Sequence, residues 1–401
     1  MSNNFCILPW IHMHIWPNGL TYPCCLATND YQLGNTNTQS MKELWNSERM
    51  RELRKNIIND KPTAGCSRCY THESNGARSM RQAMNAGFEH HNDRTKLTNP
   101  DGSLNEIHMA YMDIRFSNIC NMRCRTCGPD LSSNWVDDAI KLGRYSPDAP
   151  KVLKIKPTLE EFWADISPWI DTVESIYFAG GEPLIMDEHY RILEHLIEIG
   201  KTDILICYNT NFSKLVYKDK DIIKIWQHFK HVNVGASLDA SGKRAEYMRK
   251  GTVWKNIEKN IKRLHTEAPH VQFRVNSTIS AYNVWHCADF FEELVSKGYV
   301  QPQNIDINIL LFPEFQRLQI LPNAIKYEAA AKIEQFIEQH NLKDADKNGG
   351  SYASFTALLN TLIQDNTKDI SMFKEQNKLM DTIRNENMYD AFPELKVLLD
   401  E

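Results

Sequence analysis

The sequence predicts an α/β protein built around parallel strands. Between residues 107 and 340, short apolar runs alternate with amphipathic segments, a pattern typical of repeated βα units. The candidate strands are 107–116, 172–178, 203–209, 231–238, 271–278 and 304–311. The candidate helices between them are 130–143, 158–167, 187–199, 219–229, 243–265 and 284–297. Because chemistry in such sheets takes place where parallel strands end, polar residues at those positions are candidate site residues.

Length and composition limit the classes of function. A chain of 401 residues is long enough for two or three domains. The net charge of −5 and the lack of a basic stripe exclude nucleic acid as an expected partner. No apolar run reaches membrane-spanning length and the N-terminus does not resemble a signal peptide, so we expect a cytoplasmic protein without a membrane partner. Ten cysteines in a reducing compartment indicate metal ligation rather than disulfides.

The first ninety residues contain one set of cysteines, which comprises Cys6, Cys24, Cys66 and Cys69. Residues 10–22 are predicted to form a hairpin that turns at Pro17-Asn18-Gly19 and brings the first two cysteines together. A predicted helix over 38–60 leads to the C-x2-C pair. Four converging thiolates can complete one iron–sulfur cluster or one structural zinc site. Cys25 is interpreted as a spare buried thiol.

A second set of cysteines follows the first candidate strand. Cys120, Cys124 and Cys127 have C-x3-C-x2-C spacing. A [4Fe–4S] cluster normally takes four cysteine ligands, so three leave one iron open to a small molecule. An open position likewise distinguishes catalytic from structural zinc. The spacing alone also admits a zinc knuckle or a chance cluster.

Other strand ends carry polar residues. The second strand leads into Gly180-Gly181-Glu182-Pro183, where glycines allow a tight turn and the carboxylate can accept hydrogen bonds from an ammonium group. Further polar residues follow the next strands, namely Asn209, Thr210, Asn211, Ser237, Asp239, Arg249, Asn276 and Thr278.

The three-cysteine loop followed by Gly-Gly-Glu-Pro resembles the radical S-adenosylmethionine (radical SAM) superfamily, although Thr126 stands where an aromatic residue is usual. The resemblance implies a partial (β/α)6 barrel in which Cys120, Cys124 and Cys127 hold a [4Fe–4S] cluster. The open iron would bind SAM, whose reductive cleavage gives a 5′-deoxyadenosyl radical. The implied SAM contacts are Gly180, Gly181, Glu182, Ser237, Arg249, Asn276 and Thr278.

The N-terminal spacing resembles the Twitch domain, the half-length relative of the SPASM domain. The matching residues are Cys6, Gly19, Cys24, Cys66 and Cys69. This resemblance implies an auxiliary [4Fe–4S] cluster, and so two clusters in all, in a domain that here precedes the barrel instead of following it.

Three domains are therefore predicted: a Twitch-like domain at 1–90, the radical SAM partial barrel at 106–340 and a helical extension at 341–401. The extension contains predicted amphipathic helices at 351–364 and 367–385. Residues 90–106 are predicted to be a linker, and its His90-His91 pair is interpreted as solvated rather than as a metal site.

The resemblance implies an enzyme that abstracts a hydrogen atom from its substrate. We expect a ribosomally made peptide or protein, with oxidation of a small polar metabolite as the alternative and a non-catalytic iron–sulfur electron carrier as a remote one. Aromatic residues of the hairpin, Trp10, Trp16 and Tyr22, could pack on an extended chain. An external electron donor is expected, and a separate peptide-presenting protein is a candidate partner. No catalytic side chain is assigned.

Overall fold

The computed structural model describes residues 4–74, 78–346, 350–364 and 370–399. Within them the strands are β1 (His14–Ile15), β2 (Leu20–Tyr22), β3 (Gly34–Asn35), β4 (Tyr111–Ile114), β5 (Arg123–Cys124), β6 (Ser175–Phe178), β7 (Leu205–Thr210), β8 (Val216–Tyr217), β9 (Lys220–Asp221), β10 (His231–Ser237), β11 (Arg249–Lys250), β12 (Gln272–Ile279) and β13 (Ile305–Ile309). The α-helices are α1 (Met41–Trp45), α2 (Glu48–Ile58), α3 (Ser67–Ser74), α4 (Met80–Gly87), α5 (Val136–Lys141), α6 (Leu159–Ile170), α7 (Asp187–Glu198), α8 (Ile222–Trp226), α9 (Gly242–Met248), α10 (Trp254–Glu267), α11 (Cys287–Ser296), α12 (Asn323–Gln339), α13 (Leu342–Ala345), α14 (Gly350–Leu362), α15 (Ser371–Arg384) and α16 (Met388–Ala391).

The chain divides into two compact units. The first comprises Met1–Ile119, Val152–Cys207 and His228–His231, and the second comprises Cys120–Lys151, Tyr208–Gln227 and Val232–Glu401. The N-terminal cysteines therefore belong to the first unit and the three-cysteine loop belongs to the second. The predicted domain boundaries, which follow the sequence and not these units, stay predictions.

In the first unit, the N-terminal hairpin extends a parallel pair of strands. β4 pairs with β6 in parallel, and β1 pairs with β4 in parallel through His14 opposite Asp113. β2 and β3 then continue the sheet in antiparallel fashion. Gly19 turns the hairpin at a φ of +83°, a conformation that favours glycine. The segment that carries Cys6 and Cys24 is thereby fixed to the first strand of the βα series.

In the second unit, β10, β12 and β13 form a parallel sheet. Ser237 lies opposite Asn276, which in turn lies opposite Asp306. β7 is divided between the units after Cys207. The α/β class and all six predicted strands are confirmed, with ends that differ by a few residues.

The predicted helix over 243–265 is wrong, because α9 and α10 are separated by β11. Arg249 and Lys250 pair with Cys124 and Arg123 of β5 in antiparallel fashion. Gly251, at a φ of +109°, then turns the chain toward α10. The pairing with a distant segment overrides the local preference for helix.

The predicted helix over 38–60 is likewise two helices. Asn46 and Ser47 separate α1 from α2, and the Ser47 hydroxyl accepts a hydrogen bond from the Met50 backbone N–H as an N-cap. The predicted C-terminal helices correspond to α14 and α15, and positions 367–369 lie outside the described residues.

The predicted polar linker at 90–106 is partly ordered as a 3₁₀-helix, Glu89–Leu97. The interpretation of the His90-His91 pair as solvated is wrong for His91, which is 8% exposed. Both imidazoles bond to Glu174, 84 and 83 residues away, and sequence spacing gives no sign of that contact.

Among the described helices, none has the length and apolar character that a membrane crossing requires.

Candidate functional site

Backbone pairing fixes the three-cysteine loop within the second unit. Cys124 lies on β5 directly opposite Arg249 of β11. The Cys127 N–H donates to the Cys124 carbonyl at 3.1 Å, and the Trp135 indole N–H donates to the same carbonyl at 2.7 Å. The Arg125 N–H donates to Met248 O at 2.8 Å. The loop is thus anchored along its length and not only at its ends.

The thiols of this loop lie among donors and cations. The Asn211 amide nitrogen is 4.0 Å from the Cys120 Sγ, and Arg249 Nη1 is 3.7 Å from the Cys124 Sγ. Burial, followed by the neighbouring Cys124, raises the pKa of the Cys127 thiol to about 12. A thiol in these surroundings stays protonated unless a bound metal ion stabilises the thiolate. None of the ten cysteines, all within the described residues, is in a disulfide, so the loop fits an iron–sulfur cluster.

Arg125, inside the cysteine loop, is a residue that sequence reasoning missed. It is 3% exposed, and its guanidinium stacks on the Tyr247 ring at 3.7 Å. It donates to Glu386 Oε2 at 2.7 Å and also bonds to Asp381. These carboxylates belong to α15 and the segment after it, so the C-terminal extension supports the loop.

A second buried ion group ties α15 to the same region. Asp138 is 0% exposed and accepts a hydrogen bond from Arg123 Nη1 at 2.8 Å and another from Arg384 Nε at 2.9 Å. Arg123 is the β5 neighbour of Cys124, and Arg384 is the last residue of α15. Removing one partner of such a buried group leaves an uncompensated charge and costs about 3–5 kcal/mol.

Four predicted SAM contacts lie in the second unit with the three cysteines. Ser237 and Asn276 are cross-strand neighbours, and the Asn276 amide donates to Asn209 Oδ1 at 2.6 Å. The Thr278 N–H donates to Asp239 Oδ1 at 2.8 Å. These strand ends form one polar group of side chains in the same unit as the cluster loop.

The Asp239 Oδ2 also accepts a hydrogen bond from Arg249 Nε at 2.7 Å. Asp239 is a strand-end residue that is not among the implied SAM contacts, and its position two residues after Ser237 is the sequence signal that could have placed it in the site. The Arg249 guanidinium is shared between Asp239 and the Cys124 thiol. A SAM carboxylate at this position would share it as well.

The Gly-Gly-Glu turn lies in the first unit, where it packs on the residues that lead into the cysteine loop. The Glu182 N–H donates to Ile119 O at 2.8 Å, and a Cβ on Gly181 would lie 2.1 Å from that oxygen. Only glycine therefore fits at this close approach. Glu182 is 1% exposed, and its Oε1 accepts from the Leu184 N–H at 3.1 Å.

The four N-terminal cysteines converge in the first unit. The Thr28 N–H donates to Gly65 O at 3.2 Å, which joins the loop after Cys24 to the turn before Cys66. Burial raises the pKa of the Cys6 thiol to about 12, and the nearby Cys66 and Cys69 thiols also raise it. Burial, Cys25 and Cys6 raise the pKa of the Cys24 thiol well above its ordinary value. Four thiols without disulfides, two buried and two partly buried, match the complete ligand set of a [4Fe–4S] cluster.

Comparison with known families agrees with both cysteine sets. Residues 114–277 match the radical SAM superfamily, and residues 6–70 match SPASM, an iron–sulfur cluster-binding domain. The chain therefore contains a radical SAM domain and a SPASM domain. Its cofactors are SAM, the [4Fe–4S] cluster of the radical SAM domain and auxiliary iron–sulfur in the SPASM domain. The SPASM match favours iron–sulfur over structural zinc at the N-terminal cysteines, and the radical SAM match confirms the predicted partial-barrel core.

Solved structures of other proteins are similar to this chain at low identity. "Native anSMEcpe with bound AdoMet" is 16% identical with a TM-score of 0.42, and the alignment covers 58% of this chain and 61% of that one. "Structure of TYW1 with a lysine-pyruvate adduct bound" is 11% identical with a TM-score of 0.31, covering 57% of this chain and 71% of that one. The enzyme thus spans about three fifths of the length of the anSMEcpe chain. No curated protein matches its sequence.

Arg125→Ala should reduce iron at the SAM cluster and spare the auxiliary cluster. The substitution removes the buried counter-charge of Asp381 and Glu386 and the contact that joins α15 to the loop. We expect anaerobically reconstituted enzyme to fall from about eight irons per chain toward about four. The measurement is iron and sulfide per chain. Arg144→Ala is the matched control, because this exposed arginine also bonds to α15, through Gln376. Full iron loading in Arg125→Ala would contradict the supporting role of Arg125.

Glu182→Ala should weaken SAM binding without changing iron content. A hydrogen bond to a charged group contributes about 1.5–3 kcal/mol, which corresponds to roughly a tenfold to hundredfold loss of affinity. Equilibrium binding of SAM to the reconstituted enzyme measures the effect. Glu198→Ala, at the exposed end of α7, is the control. Equal SAM affinity in the two variants would remove Glu182 from the SAM site.

Proposed function

We propose that this enzyme abstracts a hydrogen atom from a peptide or protein substrate. In this proposal Cys120, Cys124 and Cys127 hold the cluster that binds SAM. When bound and reduced by an external electron donor, that cluster would supply the one electron that cleaves SAM into methionine and a 5′-deoxyadenosyl radical. The observation on which the proposal rests is the trio of thiols on one anchored loop, since three ligands leave one iron open for SAM.

The SAM-binding residues would act on different groups of the cofactor. The Glu182 carboxylate would accept from the SAM ammonium group, beside the bare backbone of Gly180 and Gly181. The Arg249 guanidinium would pair with the carboxylate, an arrangement that its planar fork favours. Polar groups at the ends of β10 and β12 would bind the rest of SAM, and these are Ser237, Asn276 and Thr278.

The auxiliary cluster would serve in electron transfer. Cys6, Cys24, Cys66 and Cys69 supply four thiols, so a [4Fe–4S] cluster held by them has no iron left open for substrate. We therefore propose that the auxiliary cluster accepts the electron that remains on the substrate after hydrogen abstraction. The SPASM match, which supports cluster binding by this segment, covers all four cysteines.

Arg115 and Trp16, both in the first unit, are the proposed substrate-binding pair. The Arg115 guanidinium lies 4.8 Å from the Trp16 ring centre, and a Cβ on Gly180 would lie 3.1 Å from the Arg115 Cβ. Arg115 also lies close enough to Cys25, the neighbour of Cys24, to lower the pKa of a thiol that burial raises to about 11. The Cβ of Arg115 thus lies beside the proposed SAM ammonium turn, and its guanidinium lies near Cys25, the neighbour of one auxiliary cysteine.

The chemistry of this pair suits a peptide. A guanidinium donates to peptide carbonyls and carboxylates, and an indole ring packs on an extended chain. Trp16 is half-buried, whereas Trp10 and Tyr22 are 0% and 8% exposed and belong to the core. Of the three aromatic residues in the hairpin, only Trp16 remains a candidate substrate contact.

The alternative substrate, a small polar metabolite, is less well supported. A closed polyol site needs several convergent acceptors. The carboxylate next to Arg115 is that of Asp113, which is 1% exposed and lies 3.0 Å from His14 Nδ1. This carboxylate is therefore committed to the interior of the fold. An external electron donor and a separate peptide-presenting protein remain predictions.

The substrate class can be tested with fractions of a host-cell extract. The reconstituted enzyme is given SAM, a reductant and extract, and 5′-deoxyadenosine formation above the extract-free rate is measured. We expect the increase to be retained above a filter of about 1 kDa and to be lost after treatment with a protease that is then inactivated. An increase that survives protease and passes the filter would overturn the peptide proposal and establish the metabolite alternative.

The same assay tests Arg115. Arg115→Ala should reduce the extract-dependent increase at least about tenfold, the effect of losing a charged hydrogen bond. Arg191→Ala is the matched control, because Arg191 also lies 4.8 Å from a tryptophan ring, that of Trp163. An equal effect in the two variants would exclude Arg115 from substrate binding.

A further inference from the structure

A group of three potential metal ligands lies in the first unit, apart from both cysteine sets in sequence and chemistry. His90 Nε2 and His91 Nε2 each lie 2.8 Å from a different oxygen of the Glu174 carboxylate. The donor atoms of the three side chains all lie within 4.8 Å of one another. Two donors bound to one zinc ion at about 2.1 Å are at most about 4.2 Å apart. The group is therefore within a small side-chain adjustment of ligation.

The side chains of this group are held from both sides. The Phe88 ring lies 6.3 Å and 6.2 Å from the rings of His90 and His91. The Glu174 backbone N–H donates to Ala110 O at 2.8 Å, and its carbonyl accepts from the Leu205 N–H at 3.0 Å. The carboxylate is thus fixed at the start of β6, and the imidazoles extend from the segment before β4.

His108 provides a second and independent sign of a ligand. Its ring lies 4.9 Å from the His91 ring, and its buried Nε2 has no hydrogen-bond partner among the residues that the structure describes. An unpaired buried nitrogen costs about 1–3 kcal/mol. A water molecule bound to a metal at the neighbouring group would supply the missing partner. Metal-bound groups are commonly held by such outer hydrogen bonds.

We propose that His90, His91 and Glu174 bind one divalent transition-metal ion, with zinc as the ion best matched to two imidazoles and a carboxylate. The remaining position would hold water that bonds to His108. The bound metal ion would link the 3₁₀-helix Glu89–Leu97 to the start of β6 through its ligands. The positive charges of nearby Arg94 and Lys201 would repel the metal ion, and the negative charge of the Glu174 carboxylate offsets part of this repulsion.

The test uses enzyme in which both iron–sulfur clusters have been reconstituted, so that the cluster cysteines are occupied. The enzyme is equilibrated with zinc sulfate, dialysed anaerobically against a weak chelator, and analysed for zinc per chain and for the zinc X-ray absorption spectrum. We expect one zinc per chain with a nitrogen and oxygen shell. His90→Ala and Glu174→Gln should each weaken zinc binding by roughly a hundredfold, because each loses a direct ligand.

His228→Ala is the matched control, because this histidine is exposed and lies outside the group. It should keep the zinc affinity of the unaltered enzyme. Since the His90 ring is itself 57% exposed, His90→Ala tests the ligand without removing core packing. Sulfur in the zinc shell, absence of zinc from the unaltered enzyme, or full zinc binding in both variants would each overturn the proposal.

Discussion

The radical SAM site depends on the short antiparallel pairing of β5 with β11. A loop that must present three partly buried thiols cannot rely on those side chains for its position, because they are to be ligands. The backbone pairing of β5 with β11 and the hydrogen bond from the Arg125 N–H to Met248 O supply the fixed frame instead. The same pairing sets the Arg249 guanidinium beside the Cys124 thiol, so that one backbone contact determines both geometry and local charge.

Buried charge reinforces that frame from the C-terminal side. Arg125 and Arg123 flank Cys124 in sequence, and each is held by carboxylates inside the second unit. Since isolated buried charges are costly, these pairs persist only while α15 and the loop remain in place. The helical extension, which has no counterpart in the cluster motifs, thereby becomes part of the site.

Local patterns in the sequence were sufficient for the fold class and for the arrangement of the cysteines. The hairpin turn at Gly19 predicts that Cys6 and Cys24 come together, and the structure has both in one unit with Cys66 and Cys69. The periodicity of the first strand predicts that the three-cysteine loop follows β4. Contacts between residues that are far apart in the sequence could not be predicted from these local patterns. Arg125 and Asp381 are 256 residues apart, and an arginine in a polar loop gives no sign that it is buried.

The split of the predicted helix over 243–265 has the same origin. β11 forms because Cys124 and Arg123 are available as partners, not because Arg249 and Lys250 prefer the extended state. The His90-His91 pair shows a second limit of prediction from local sequence. Two polar residues in a linker are typical of solvent exposure, and only the position of Glu174 makes them a group.

The central claim is that one cluster has an open iron and the other does not. Mössbauer spectroscopy of the enzyme reconstituted with ⁵⁷Fe, recorded before and after addition of SAM, tests it most directly. With three ligands at one cluster and four at the other, SAM should change the signal of one iron in about eight and leave the rest unaltered. A spectrum that SAM does not change, or one that contains a single cluster per chain, would contradict the claim.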